Sequence, residues 1–208
     1  MMKRVLFIGF VFILCLASVE AQDTGLLDKM YGNISSSCVE MEYSFSTRVS
    51  GVNTNGSGVL RAQDGMWSMQ GNGVQMWCDG RSVWIVDPAQ KEVVIETVAA
   101  ESETEFMTNP AALIMTLEET FQVVVSHLTE DGLAMFYSLV PKASGTIEHF
   151  NIEILRGDAS VRRSSFAMKS GDLIKIEVSS MRLTPKVSDE DFRPQVKFDS
   201  TWIVTDMR

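Results

Sequence analysis

The side chains best suited to proton transfer or nucleophilic attack are two histidines, His127 and His149, and two cysteines beyond the extreme N-terminus, Cys38 and Cys78. A catalytic pair needs a nucleophile and a base within hydrogen-bond reach, with a third group orienting the base. Each histidine lies at a predicted strand end beside a polar residue, and no Ser, Cys or carboxylate spacing joins either one to such a pair. The sequence has no G-x-S-x-G elbow, P-loop, H-E-x-x-H pair or EF-hand loop. Two acidic groups, Glu101, Glu103, Glu105 and Asp189, Glu190, Asp191, offer oxygens to a cation. Neither has the ligand spacing or glycine turn of a calcium loop, so both read as solvated loops. Asp79-Gly80 reads as a turn between strands. Cys38 and Cys78 are not at metal spacing and form no C-x-x-C; in an oxidising compartment they are either one disulfide or two buried thiols. The reading is a protein without catalytic residues, metal or cofactor.

Methionine supplies 13 of the 208 residues, against 3 tyrosines and 2 histidines. Methionine is flexible and polarizable, so it either fills an irregular core or lines a surface that adapts to flexible alkyl chains. With 45% hydrophobic and 22% charged residues the chain is globular, which excludes disorder, collagen and a polytopic membrane protein. A net charge of -9, from 18 basic and 27 acidic residues, argues against a nucleic-acid partner.

The N-terminus reads as an export signal. Lys3 and Arg4 precede an apolar run over 5–17, and Val19-Glu20-Ala21 ends in the small residue that signal peptidase requires. Cleavage is expected after Ala21, leaving 22–208 as a single, more acidic domain outside the cytosol. Cys15 follows Leu14 rather than a small residue, so it reads as part of the discarded segment and not as a lipidation site.

Positioning must come from strands. A helix starting at Asp23 or Thr24 carries Leu26, Leu27, Met30, Tyr31 and Ile34 on one side. From Val39 the period becomes two, and Met41, Tyr43 and Phe45 alternate with polar residues to position 49. A turn-rich connection over 51–58 leads to strands at 59–62, 66–70, 74–78, 83–86 and 92–98, joined by Asp64-Gly65, Asn72-Gly73, Asp79-Gly80 and Asp87-Pro88. After an acidic stretch, Asn109-Pro110 starts a second helix over 111–121 with Leu113, Ile114, Leu117 and Phe121 on one side. Strands follow at 123–128, 133–140, 150–155, 161–168, 173–181 and 202–205. Eleven or so antiparallel strands without a βαβ pattern must curl to protect their edges. The expected fold is mainly β: an unclosed antiparallel barrel covered by short helices as a lid, with a lumen wide enough to hold a ligand.

Several stretches together resemble the LolA family of periplasmic outer-membrane lipoprotein carriers. They are Gly58-Val59-Leu60 into Met66-Trp67, the D-G-x-x-x-W-x-x-x-P run from Asp79 to Pro88, Asn109-Pro110-Ala111-Ala112-Leu113-Ile114, and Leu139-Val140-Pro141-Lys142-Ala143 followed by Phe150-Asn151-Ile152. The resemblance implies a lipid-binding cavity lined by Met41, Tyr43, Phe45, Leu60, Trp67, Met69, Trp84, Met135, Ile152 and Met168, under a lid carrying Leu27, Met30, Leu113 and Ile114. It implies a monomeric periplasmic chaperone that takes acylated lipoproteins from an inner-membrane lipoprotein-releasing ABC transporter to an outer-membrane acceptor. The alternative is a lipid sensor, or a carrier of another lipid or glycolipid, on the same fold. One departure stands out: the family's Arg-Pro pair after the second strand, whose arginine latches the lid, is replaced here by Arg61-Ala62-Gln63-Asp64-Gly65.

Overall fold

The computed structural model describes residues 24–98, 117 and 119–208. Helix α1 (Gly25–Ser35) is followed by strands β1 (Cys38–Val49), β2 (Val52–Gln63), β3 (Met66–Gly71), β4 (Val74–Cys78), β5 (Ser82–Asp87) and β6 (Glu92–Thr97). Next come β7 (Phe121–Leu128), β8 (Ala134–Pro141), β9 (Ile147–Leu155), β10 (Val161–Met168) and β11 (Leu173–Thr184), then a 3-10 turn (Asp189–Phe192) and β12 (Ile203–Asp206). The export signal, the acidic stretch 99–105 and the lid residues Leu113 and Ile114 lie outside the described residues; 117, 119 and 120 are helical.

All twelve strands form one sheet in the order β12-β6-β5-β4-β3-β2-β1-β11-β10-β9-β8-β7. Two meanders, β1 to β6 and β7 to β11, are thus joined by the long β1–β11 pairing, and the sheet remains unclosed between its two edge strands. Tight turns drive the first meander. At Ser50-Gly51, Asp64-Gly65 and Asn72-Gly73 both residues have positive φ, as a two-residue type I′ hairpin requires.

The first of these hairpins corrects the expected loop over 51–58, because β2 begins at Val52 and pairs with β1 along its whole length. Glycines in that stretch serve the strand instead of breaking it. A Cβ at Gly58 would lie 2.6 Å from the Gln70 carbonyl oxygen and 3.0 Å from the Tyr43 hydroxyl, and one at Gly56 would lie 2.8 Å from the Phe45 ring. The missing side chains let the rings of Tyr43 and Phe45 lie over the neighbouring strand.

Not every pair is antiparallel: β12 runs parallel to β6. A parallel return needs a long connection, and residues 185–202 provide it as a strap across the convex face. Gln63, only 4% exposed, fixes the strap at its start, donating from Nε2 to the Val187 carbonyl (2.9 Å) and accepting from the Val187 amide (2.8 Å). Phe192, fully buried, packs with Cys38, Met66 and Val187. The acidic run Asp189 to Asp191, expected as a free loop, is the turn that aims Phe192 inward, with Ser188 capping it by accepting from the Glu190 amide. Arg193 then donates to Asp79 at 2.8 Å.

Cys38 and Cys78 are both buried, and no disulfide joins them. They point to opposite faces of the sheet and are three strands apart, about 14 Å at the usual strand spacing, which resolves the open alternative in favour of two thiols.

Candidate functional site

Strand register decides which side chains share a face. One row crosses six strands on the concave side: Met181 of β11, Met41 of β1, Leu60 of β2, Met69 of β3, Met76 of β4 and Ile85 of β5. Five strand steps make it about 24 Å long. Beside it run Val39, Ala62, Trp67, Cys78 and Val83, and Tyr43 spreads over the space left by Gly58. The C-terminal meander supplies Tyr137, Ile152, Phe166 and Met168 to the same apolar cluster, with Met135 packed against it. Burial pushes the Tyr43 phenol above its ordinary pKa, so it remains neutral.

Helix α1 lies on this face. Its 3.6-residue period puts Leu27, Met30 and Ile34 on one side, and all three are buried in the concave cluster. Leu117 and Phe121 join them. The polar fastening is slight: the Asn33 side chain donates to the Asp158 carbonyl oxygen at 3.4 Å, on the β9–β10 turn.

Of the residues expected to line a cavity, Met41, Tyr43, Leu60, Trp67, Ile152 and Met168 are buried in this cluster, and Phe45, Met69 and Met135 pack against it. Trp84 does not join them. It faces the convex side, in a second apolar cluster with Trp77, Val86, Val93 and Ile95 that the strap covers with Phe198 and Trp202. Alternation explains the correction: Trp84 pairs with Trp77 and Ile95, while its neighbours Val83 and Ile85 take the concave side. The sequence reading missed Met76 and Met181, which only cross-strand register connects to Met41 and Met69. Arg61 also lies on the convex face, 3.5 Å from Glu40, so it makes no contact with the lid side.

The groups that suggested chemistry do not converge. His127 stacks on Phe136 with ring centroids 4.7 Å apart. His149 lies two strands over and four residues along, about 16 Å away at ordinary strand dimensions. Asp79 holds the β4–β5 turn by accepting from the amides of Arg81 and Ser82. Burial raises its pKa, but those amides and the Arg193 guanidinium outweigh it and hold the carboxyl below its ordinary value. Among the described residues no three His, Cys, Asp or Glu side chains are placed to hold a metal ion, and no helix is long and apolar enough to cross a membrane.

A family model described as outer membrane lipoprotein carrier protein LolA matches residues 66–195. No curated protein sequence matches. Among crystal structures, the chain is similar to an uncharacterized conserved protein from Thermus thermophilus, with 12% identity and a TM-score of 0.54 over 88% of this chain and 98% of that one. It is also similar to a LolA superfamily protein from Nitrosomonas europaea, with 11% identity and a TM-score of 0.46 over 84% and 98% of the two chains. At such identities the likeness to the Thermus protein is one of fold.

Proposed function

This chain belongs to the LolA family of outer membrane lipoprotein carrier proteins, and from that premise we propose that it is itself a periplasmic carrier whose concave face shields the acyl chains of lipoproteins between the two membranes. The observation that carries the reading is the methionine-rich row Met181, Met41, Leu60, Met69, Met76 under an amphipathic helix. An acyl chain in water costs about 0.8 kcal/mol per exposed methylene, so a lipoprotein does not cross an aqueous space unaided. A row of unbranched thioethers adapts to several chain conformations where a row of branched side chains would select one. Such a carrier makes and breaks no covalent bond.

In this reading α1 is the lid. Its buried side is apolar, with Leu27, Met30 and Ile34 in the cluster and Leu26 and Tyr31 packed against it, so an entering chain replaces these contacts with others of the same kind. Export follows cleavage after Ala21, loading comes from an inner-membrane lipoprotein-releasing ABC transporter, and delivery is to an outer-membrane acceptor, with the carrier acting as a monomer. The test is purification from periplasm without detergent, followed by mass spectrometry of the bound material. Acylated lipoproteins in a one-to-one complex are expected. Recovery with free glycolipid alone would overturn the lipoprotein assignment, and recovery of an empty protein from cells rich in lipoproteins would overturn the carrier.

A further inference from the structure

The convex face of the first meander holds a groove for which acyl carriage has no use. Register places Arg182, Glu40, Arg61, Ser68 and Trp77 in one row across β11, β1, β2, β3 and β4. Four strand steps make this floor about 19 Å long. The strap walls it with Asp191, Gln195 and Val196, enclosing about 640 Å³, a volume in the range of small-molecule sites.

The lining narrows the ligand chemistry by elimination and by fit. Every floor strand is paired on both sides, so no free strand edge is offered to an extended peptide. Arg61 and Arg182 are balanced by Glu40, Glu42 and Asp191, so the lining has no positive excess to attract phosphate, sulfate or carboxylate. What it presents is a set of planar polar groups. Glu40 lies 3.5 Å from Arg61 and 3.4 Å from Arg182, fixing one carboxylate between two guanidinium groups. Gln70 and Gln75 face each other in register, and neither amide hydrogen-bonds to any other described residue. Each therefore has a donor and an acceptor to offer. Val59 and Val196 remain 52% and 45% exposed inside the groove, beside these polar groups.

We propose that this groove binds a short, uncharged oligosaccharide bearing N-acetyl groups. The Glu40 and Arg61 pair takes vicinal hydroxyls, the two glutamine amides pair with the acetamide, and its methyl group covers Val59 and Val196. The site is independent of the acyl-binding face, which lies on the other side of the sheet. The test titrates the purified full chain with chitotetraose while following backbone amide resonances. Saturable shifts centred on β2, β3 and the strap are expected, with affinity about tenfold or more weaker in a Gln70→Ala, Gln75→Ala double variant. Gln70 is exposed and Gln75 half-buried, and an unchanged thermal midpoint confirms that the variant is folded. Absence of saturable shifts in the millimolar range, an unaltered affinity in the folded double variant, or tighter binding of a sulfated tetrasaccharide would each overturn the proposal.

Discussion

Met69→Glu puts a carboxyl at the middle of the methionine row, between Leu60 and Met76. Met69 is only partly buried, so in the free protein the new side chain reaches water and the fold is retained. Once an acyl chain covers the row the same carboxyl loses its water. Burial of this kind raises a Glu pKa by as much as three to five units, to well above neutrality. The raised pKa belongs to the loaded state. Binding is therefore unimpaired below the free-state pKa of about 4.3, weakens as pH rises through the interval, and levels off above the loaded-state pKa. Each pH unit in the interval costs about 1.4 kcal/mol, so at about pH 7 the deficit is 3 to 4 kcal/mol, or roughly five-hundredfold. The assay is displacement of a fluorescent fatty acid by a triacylated lipopeptide at about pH 5.5 and about pH 7.5, both above the sequence pI of 4.7, where the variant-to-wild-type ratio is expected to change about a hundredfold. A folded variant whose deficit is independent of pH, or absent at pH 7.5, would refute the burial of Met69 against the ligand.

Three further outcomes follow from the two faces of the sheet. Trp84→Ala removes an indole from the convex cluster, so urea unfolding is expected to lose about 3 kcal/mol with lipopeptide affinity unchanged; lost affinity at full stability would return Trp84 to the ligand side. Phe192→Ala empties the fully buried anchor of the strap and is expected to cost about 3 to 5 kcal/mol, whereas a cost under about 1 kcal/mol would mean that the strap is held elsewhere. Cys38 and Cys78, buried and not joined in a disulfide, are expected to resist a water-soluble maleimide in the native protein and both to react in denaturant without reductant; failure of either to react there would contradict the absence of the disulfide.

Much of the fold can be read from the sequence because its signals are local. The Asp64-Gly65 and Asn72-Gly73 turns have positive φ at both residues, a demand few other dipeptides meet, and so β3 and β4 fall where alternation predicts. Val52 to Gly58 was harder: six of its seven residues are Asn, Gly, Ser or Thr, a turn composition whose strand state is set by pairing with β1. The concave residues of β1 and β3 were readable by period two. Trp84 was not, because both faces of β5 are apolar: one meets the concave cluster and the other a strap more than a hundred residues later in the chain. Alternation cannot assign a side when both sides are covered. The strap itself announces little, since its hold depends on single long-range contacts such as Gln63 with Val187.

The concave face carries methionines and aromatics, and the ion pairs of β1 and β2 lie on the other side with Glu40 and Arg61. For a carrier this division has an energetic consequence. An acyl chain of about sixteen carbons, fully shielded, is stabilised by about 13 kcal/mol relative to water. Two or three such chains exceed the roughly 20 kcal/mol at which non-covalent affinities saturate, so release into water is excluded on any useful timescale. Transfer must then be an exchange between two apolar environments, in which the large hydration term cancels and only the difference in contact quality remains. A polar anchor on the concave face would add a term that membrane or acceptor does not match, and would trap the cargo. An adaptable thioether row adds little beyond what lipid offers. The lid obeys the same arithmetic, because the contacts that Leu27, Met30 and Ile34 give up are replaced by equivalent contacts with the incoming chain. Arg61 is on the convex face and does not latch the lid; the bond from Asn33 to the Asp158 carbonyl, with a net worth of about 1 kcal/mol, is small enough for either the cargo or an acceptor to break.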